Sequence, residues 1–226
     1  MRKLGPLKCI EYNNHDEAPW IILFHGFGAD AGDLSALANE IPTEKKFNWL
    51  FPEGFLEVPI GPSWSGRAWW PVDMQELQQA QISGIARDLS QMTPAGLDVA
   101  YNKVIDMIKA LGIPWNKIVL GGFSQGAMLA TEIYLRAPDN PLGLIILSGA
   151  CLHANQWRES AKQRAGKAFF LSHGENDPVL SIKGAQKLET ILTQGGMKGR
   201  LLKFSGGHEI PPIVMVEMAK YLNVRP

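Results

Sequence analysis

A serine set between glycines, where a strand gives way to a helix, is the pattern in this chain best suited to covalent chemistry. Gly122-Phe-Ser124-Gln-Gly126 follows the apolar run Ile118, Val119, Leu120 and leads into Ala127, Met128, Leu129, Ala130, Glu132 and Leu135, which suit a helix. Such a turn is the signature of a nucleophile elbow. It must be tight enough to project the hydroxyl from the end of a sheet, and side chains two residues to either side would strike the strand or the helix. Glycine removes them. A serine alcohol is a poor nucleophile alone, so a base must take its proton and an acid must orient the base.

Chain order narrows the partners, because on this scaffold the acid and then the histidine follow the serine. Of His15, His25, His153, His173 and His208, only His208 follows a plausible acid loop. Asp177 comes after the apolar run Ala168 to Leu171, in a turn headed by His173-Gly174 and stopped by Pro178. That puts a carboxylate at the carboxyl end of the sheet, where such folds bind ligands. Glu175, two residues earlier, is its rival. His173 precedes both acids and reads as a structural turn residue, His25 and His153 as structural hydrogen-bonding groups, and His15 as a solvated turn residue. Glu132 and Glu189 read as helix surface. The oxyanion of an acyl-transfer intermediate needs donors fixed in advance. The backbone N–H of Gln125, at the start of the helix, is one candidate. That of Phe27, in His25-Gly-Phe-Gly after an early strand, is the other.

The elements that must position these groups alternate. Strands are predicted over Leu7–Tyr12, Trp20–Phe24, Asn48–Phe51, Ile118–Leu120, Leu142–Leu147, Gly166–Leu171 and Arg200–Phe204. Helices are predicted over Asp33–Glu40, from Thr93 through Leu111, after Ser124, over Ser181–Gln194 and over Ile213–Leu222. Such alternation implies an α/β fold with a mostly parallel central sheet and helices on both faces. Neither a repeat, a linker nor a second domain is evident, so residues 1–226 read as one domain. Residues 53–92 show no clear period. Pro59, Pro62 and Pro71 punctuate them, and Trp64, Trp69 and Trp70 give them aromatic weight. These tryptophans read either as a satellite core or as a substrate-binding wall.

Composition excludes several functions. At 226 residues with 46% apolar side chains, the chain can build a substantial core. Its 22 Lys and Arg balance 22 Asp and Glu, which gives no reason to expect nucleic acid or an anionic membrane as partner. Cys9 and Cys151 are too few for a disulfide framework and sit in apolar contexts, as buried thiols do. The amino-terminal residues lack the apolar stretch of a signal peptide, and no run approaches a transmembrane length, so a cytoplasmic protein without stable membrane insertion is expected.

With these pieces placed, the chain resembles the phospholipase/carboxylesterase family of small serine hydrolases, which includes the acyl-protein thioesterases. The resemblance is carried by His25-Gly-Phe-Gly-Ala-Asp, Gly66-Arg-Ala-Trp-Trp, Gly121-Gly-Phe-Ser-Gln-Gly-Ala, Leu147-Ser-Gly149, His173-Gly-Glu-Asn-Asp-Pro-Val and Gly207-His-Glu. It implies an α/β-hydrolase fold with no large cap domain, a Ser124–Asp177–His208 triad, no metal and no cofactor. It implies hydrolysis of a small-molecule or lipid-like acyl ester or thioester. Arg67-Ala-Trp-Trp70 departs from the family's common Trp-Phe-Asp version, with Asp73 falling two residues beyond the expected aspartate. The competing readings are a serine peptidase on the same scaffold and a non-catalytic ligand-binding or scaffolding module that retains the hydrolase core.

Overall fold

The computed structural model describes residues 1–73, 75 and 88–224. Among these, the strands are β1 (Arg2–Leu4), β2 (Leu7–Tyr12), β3 (Trp20–Phe24), β4 (Asn48–Pro52), β5 (Leu56–Gly61), β6 (Trp64–Ala68), β7 (Ile118–Phe123), β8 (Gly143–Leu147), β9 (Phe169–Gly174) and β10 (Leu201–Phe204). The helices are α1 (Leu37–Glu40), α2 (Leu97–Leu111), α3 (Gln125–Arg136), α4 (Ala154–Lys162), α5 (Ile182–Gln194) and α6 (Pro212–Asn223). Eight strands make one sheet in the order β1-β2-β4-β3-β7-β8-β9-β10, while β5 and β6 form a separate hairpin. The pairings β1–β2 and β2–β4 are antiparallel, and all others in the large sheet are parallel.

Strand periodicity explains why helices cover both faces. All five residues of β3 and of β8 are buried, as in a strand sandwiched between layers. Ile22, Phe24, Leu120 and Ile146 point toward α2 to α5, where Val104, Leu129, Trp157 and Leu188 meet them. The alternate residues Ile21, Leu23, Val119, Ile145 and Leu147 pack with Leu37 of α1 and with Val214, Met218 and Leu222 of α6. The architecture is the α/β-hydrolase fold, with no large cap among the described residues. Among the described residues, no helix is long and apolar enough to cross a membrane.

Several predicted elements are corrected. The helix expected over residues 33–40 shrinks to Leu37–Glu40. Asp30 Oδ1 accepts the Gly32 N–H at 2.7 Å, and turn bonds from Ser35 to Gly32 and from Leu37 to Leu34 occupy the residues before it. Side-chain capping of the backbone competes with helix initiation. The strand expected over residues 166–171 lies three residues further on, at Phe169–Gly174. Gly166, at φ 78°, forms a turn instead. Ser172 and His173 stay in the ladder because they pair with Leu202 and Lys203 of β10. Helix α4 was not anticipated, since only Ala154, Trp157 and Ala161 of its nine residues are buried. The stretch from residue 53 contains a hairpin whose period is broken by a bulge between Pro59 and Gly61. Its residues 74 and 76–87 lie outside the described residues. Glu132 is not helix surface: it is 1% exposed, accepts the Trp157 indole N–H at 2.5 Å and pairs with Arg136 at 2.8 Å.

Candidate active site

The backbone around Ser124 is as tight as the glycine spacing requires. Ser124 sits at φ 54°, ψ −117°, between the end of β7 and the first residue of α3. A non-glycine residue at positive φ is strained and persists only where its surroundings impose it. Here they do. A Cβ on Gly126 would stand 2.0 Å from the Phe24 carbonyl oxygen, and one on Gly122 would stand 2.4 Å from the Gly126 carbonyl carbon. The Ser124 N–H donates to the Leu147 carbonyl at 2.9 Å, tying the elbow to β8. The N–H groups of Ala127 and Met128 return to the Ser124 carbonyl, while that of Gln125 opens the helix.

A second close approach joins the loops after β9 and β10. A Cβ on Gly174 would lie 2.1 Å from the Gly207 carbonyl oxygen. The N–H groups of Glu175 and Asn176 donate to the carbonyls of Phe204 and Gly206 at 2.9 and 3.0 Å. The geometry brings together Asp177 and His208, whose Nδ1 lies 2.6 Å from Asp177 Oδ2. The other carboxylate oxygen accepts the N–H groups of Val179 at 2.8 Å and Leu180 at 2.9 Å. The Asp177 side chain is fully buried, whereas Glu175 is exposed and contributes no contact to His208 among the described interactions. Burial by itself would raise the Asp177 carboxyl. The hydrogen bond from His208, its charge and the two N–H donors outweigh burial and hold it below the usual carboxylate range. The His208 ring rests against Phe123, the residue before Ser124, with ring centroids 4.7 Å apart.

His173 is a buried strand residue rather than the turn residue expected. Its Nε2 lies 2.8 Å from the Leu180 carbonyl, which can only accept, so Nε2 carries the proton. The same nitrogen is 3.3 Å from Asp177 Oδ2. Burial pushes the His173 pKa down, against the pull of the Leu180 carbonyl and the Asp177 charge. Asp177 therefore has two imidazole neighbours, and the sequence disclosed only one of them. His25 is structural: its Nε2 accepts the Gly54 N–H at 2.9 Å, so its Nδ1 carries the proton donated to the Gly26 carbonyl at 2.7 Å. His153 faces the Thr93 hydroxyl across 2.9 Å.

Ser124 opens into an apolar cavity of about 250 Å³. Phe27 and Gln125, the candidate donors, line it beside the serine, and its walls include Trp70, Val72, Leu89, Met92, Met128 and Leu152. The three tryptophans separate. Trp70 lines this cavity, but Trp69 is fully buried and Trp64 is 60% exposed on the hairpin, in a shallow hollow elsewhere. Of the three tryptophans expected in a substrate wall, Trp70 borders this cavity, whereas Trp69, just past the end of β6, turns into the core and Trp64, at the start of β6, faces outward. Sequence reasoning missed the wall made by residues 89–95. It also missed Met128, although its place one helical turn after Ser124 put it on the same face. The free thiols Cys9 and Cys151 are both buried, and burial pushes each up to about 12.

A sequence model described as Phospholipase/Carboxylesterase matches residues 7–225. The acyl-protein thioesterase 1 of Neurospora crassa is 33% identical over 201 residues, covering 83% of this chain and 79% of that protein. The Eremothecium gossypii protein of the same name is 29% identical over 215 residues, covering 89% and 86%. In structure, the chain is similar to esterase PE8, with a TM-score of 0.79 at 24% identity over 96% of this chain and 97% of that one. It is also similar to a Bacillus cereus carboxylesterase, with a TM-score of 0.70 at 18% identity over 96% and 93%. At such identities these two structures speak to the fold.

Proposed function

The chain belongs to the phospholipase/carboxylesterase family of hydrolases, and from that premise we propose that it cleaves esters or thioesters of apolar acyl groups through an acyl-enzyme on Ser124. One observation carries the reading. The strained Ser124 elbow opens into an apolar cavity, and the His208 ring, bonded to buried Asp177, lies against the residue that precedes Ser124.

The steps follow from the groups present. Ser124 Oγ attacks the acyl carbonyl carbon while His208 takes the hydroxyl proton. The carbonyl π electrons move to oxygen, and the resulting oxyanion is received by the N–H groups of Phe27 and Gln125. Collapse of this intermediate breaks the bond to the leaving oxygen or sulfur, which His208 protonates. A water molecule, deprotonated by His208, then attacks the acyl-serine. The carboxylic acid departs and Ser124 recovers its proton. Asp177 stays ionised throughout, holds the His208 tautomer and stabilises the imidazolium. We place this activity in a single cytoplasmic domain, a setting in keeping with its two free thiols.

The apolar walls favour the acyl group through burial, at about 0.8 kcal/mol per fully buried methylene. The test is kcat/KM for p-nitrophenyl esters of increasing chain length, with one acyl thioester alongside. The reading predicts a steep rise until the cavity is filled. A flat profile would count against an acyl pocket, and no turnover of any ester would count against the whole scheme.

A further inference from the structure

Trp69 and the Gln125 side chain lie outside the chemical steps, yet both are buried where the two proposed oxyanion donors must be held apart at a fixed distance. We infer that they form a cross-brace that sets the spacing of the Phe27 and Gln125 N–H groups, an inference that rests on the mechanism proposed above and adds two positioning residues to it.

The need for a brace comes from the sheet. Phe27 follows β3 and Gln125 follows β7, and the ladder joining these strands ends at the pair Phe24–Gly122. Beyond that pair β3 and β7 no longer pair with each other, so the ladder between them does not relate one donor to the other. Trp69 spans the gap. Its indole N–H donates to the His25 carbonyl at 2.9 Å, two residues before Phe27. Its backbone N–H donates to Gln125 Oε1 at 3.0 Å. Gln125 Nε2 in turn donates to the Trp70 carbonyl at 2.9 Å. A carboxamide offers both an acceptor and N–H donors, which is what the Trp69 N–H and the Trp70 carbonyl together require. Glutamate lacks the donor, and methionine lacks an effective counterpart to either group.

Packing makes the brace stiff. Trp69 is 0% exposed and Gln125 2%. The indole stands edge-on to Phe24 at 5.3 Å and lies 5.1 Å from the His25 ring. The far side of Phe27 is fixed by β6, which ends one residue before Trp69. The Gly28 N–H donates to the Arg67 carbonyl, and the Arg67 N–H donates to the Ala29 carbonyl, both at 2.8 Å. A Cβ on Gly66 would come within 1.9 Å of the Gly28 carbonyl oxygen, so β6 runs in direct backbone contact with the donor loop. Phe27 is therefore bracketed before and after by β6 and the residues that continue it. Electrostatic stabilisation of an oxyanion depends on donors already in place, so a brace of this kind acts on the transition state rather than on substrate binding.

The test uses the full-length protein with Trp69→Phe, which keeps an aromatic ring but removes the indole N–H, and Gln125→Met, which removes both clamps. Ser124→Ala and the double variant run in the same assay. The readouts are kcat and KM for a p-nitrophenyl ester, the melting temperature, and the affinity for an aryl trifluoromethyl ketone, whose adduct with the serine is a tetrahedral oxyanion. The brace predicts that kcat falls about 10- to 100-fold in each single variant with KM within about threefold, less than the full loss of a donor. Ketone affinity should fall by the same factor as kcat/KM. The double variant should lose no more than about threefold beyond the worse single, because both changes release one device. Unchanged kcat and ketone affinity in folded variants would overturn the inference, as would a lower melting temperature unaccompanied by weaker ketone binding. Should Gln125→Met fail to fold, Trp69→Phe decides alone. Full activity of Ser124→Ala would instead overturn the underlying mechanism and the brace with it, whereas an inactive Ser124→Ala beside unaffected brace variants would remove only the brace.

Discussion

At the carboxyl ends of β7, β9 and β10, peptide groups pack directly against peptide groups. Gly126 meets Phe24, and Gly174 meets Gly207, with no room for a methyl group at either contact. Around the cavity, from Trp70 to Val72 and from Leu89 to Ala95, the walls are largely side chains against open space. Backbone contacts of the first kind admit one geometry, which suits groups that must meet a reacting carbonyl within a fraction of an ångström. Walls of the second kind can change in size and still leave the chemistry intact. The proposed catalytic and selective functions thus rest on different kinds of packing.

Breaking the backbone-packed region should produce the larger effects. Ser124→Ala should lower kcat on the order of 10⁶-fold if the triad acts as a unit, as measured by ester hydrolysis in purified folded protein. Next comes Asp177→Asn, which should cost about 10⁴-fold in kcat with the fold retained, because the histidine loses its required tautomer. Exposed Glu175→Gln should change turnover little, and the reverse pattern would move the acid by two positions. The cavity wall should respond on a smaller scale. Trp70→Leu should lower kcat/KM about tenfold for long-chain esters while sparing acetate esters, in line with the burial of a few methylenes. Trp64→Ala, on the exposed hairpin, should leave the chain-length profile unchanged.

The smallest effect concerns pH. Burial lowers the pKa values of His25 and His173 in the folded protein, so the unfolded chain binds more protons as the solution becomes acidic. Their stabilisation is present above the unfolded histidine value of about 6.5 and is lost as pH falls from there through the folded values. Melting temperature should therefore decline between pH 7.5 and 5.5, and His173→Gln should make that decline shallower. Asp177 contributes separately and later. Its lowered value keeps its stabilisation intact until the pH drops below about 3.9, the unfolded aspartate value.

The same division explains what the sequence disclosed. Gly122 and Gly126 mark close backbone approaches, and a missing side chain can be read from a single chain, whereas the approach of Gly174 to Gly207 shows only in the fold. Strand β3 was bounded correctly because five consecutive buried residues leave an unbroken apolar run. The pairing of Asp177 with His208 could be anticipated because each follows a strand end, those of β9 and β10. By contrast, His173 looked like a turn residue because its polarity hid its pairing with β10. Trp69 and Trp70 are adjacent and chemically identical. Only the three-dimensional path of the chain sends one ring into the core and the other into the cavity. The Gln125 clamp was equally hidden, since its partners lie more than fifty residues away.

Whether Ser124 becomes a nucleophile through His208 is read out by a fluorophosphonate probe. The protein is incubated with the probe at neutral pH, digested, and the modified peptide is identified by mass spectrometry while the labelling rate is followed. Rapid, stoichiometric modification is expected at Ser124, slowing by several orders of magnitude in His208→Ala. Labelling of a different residue, or an undiminished rate at Ser124 in His208→Ala, would contradict it.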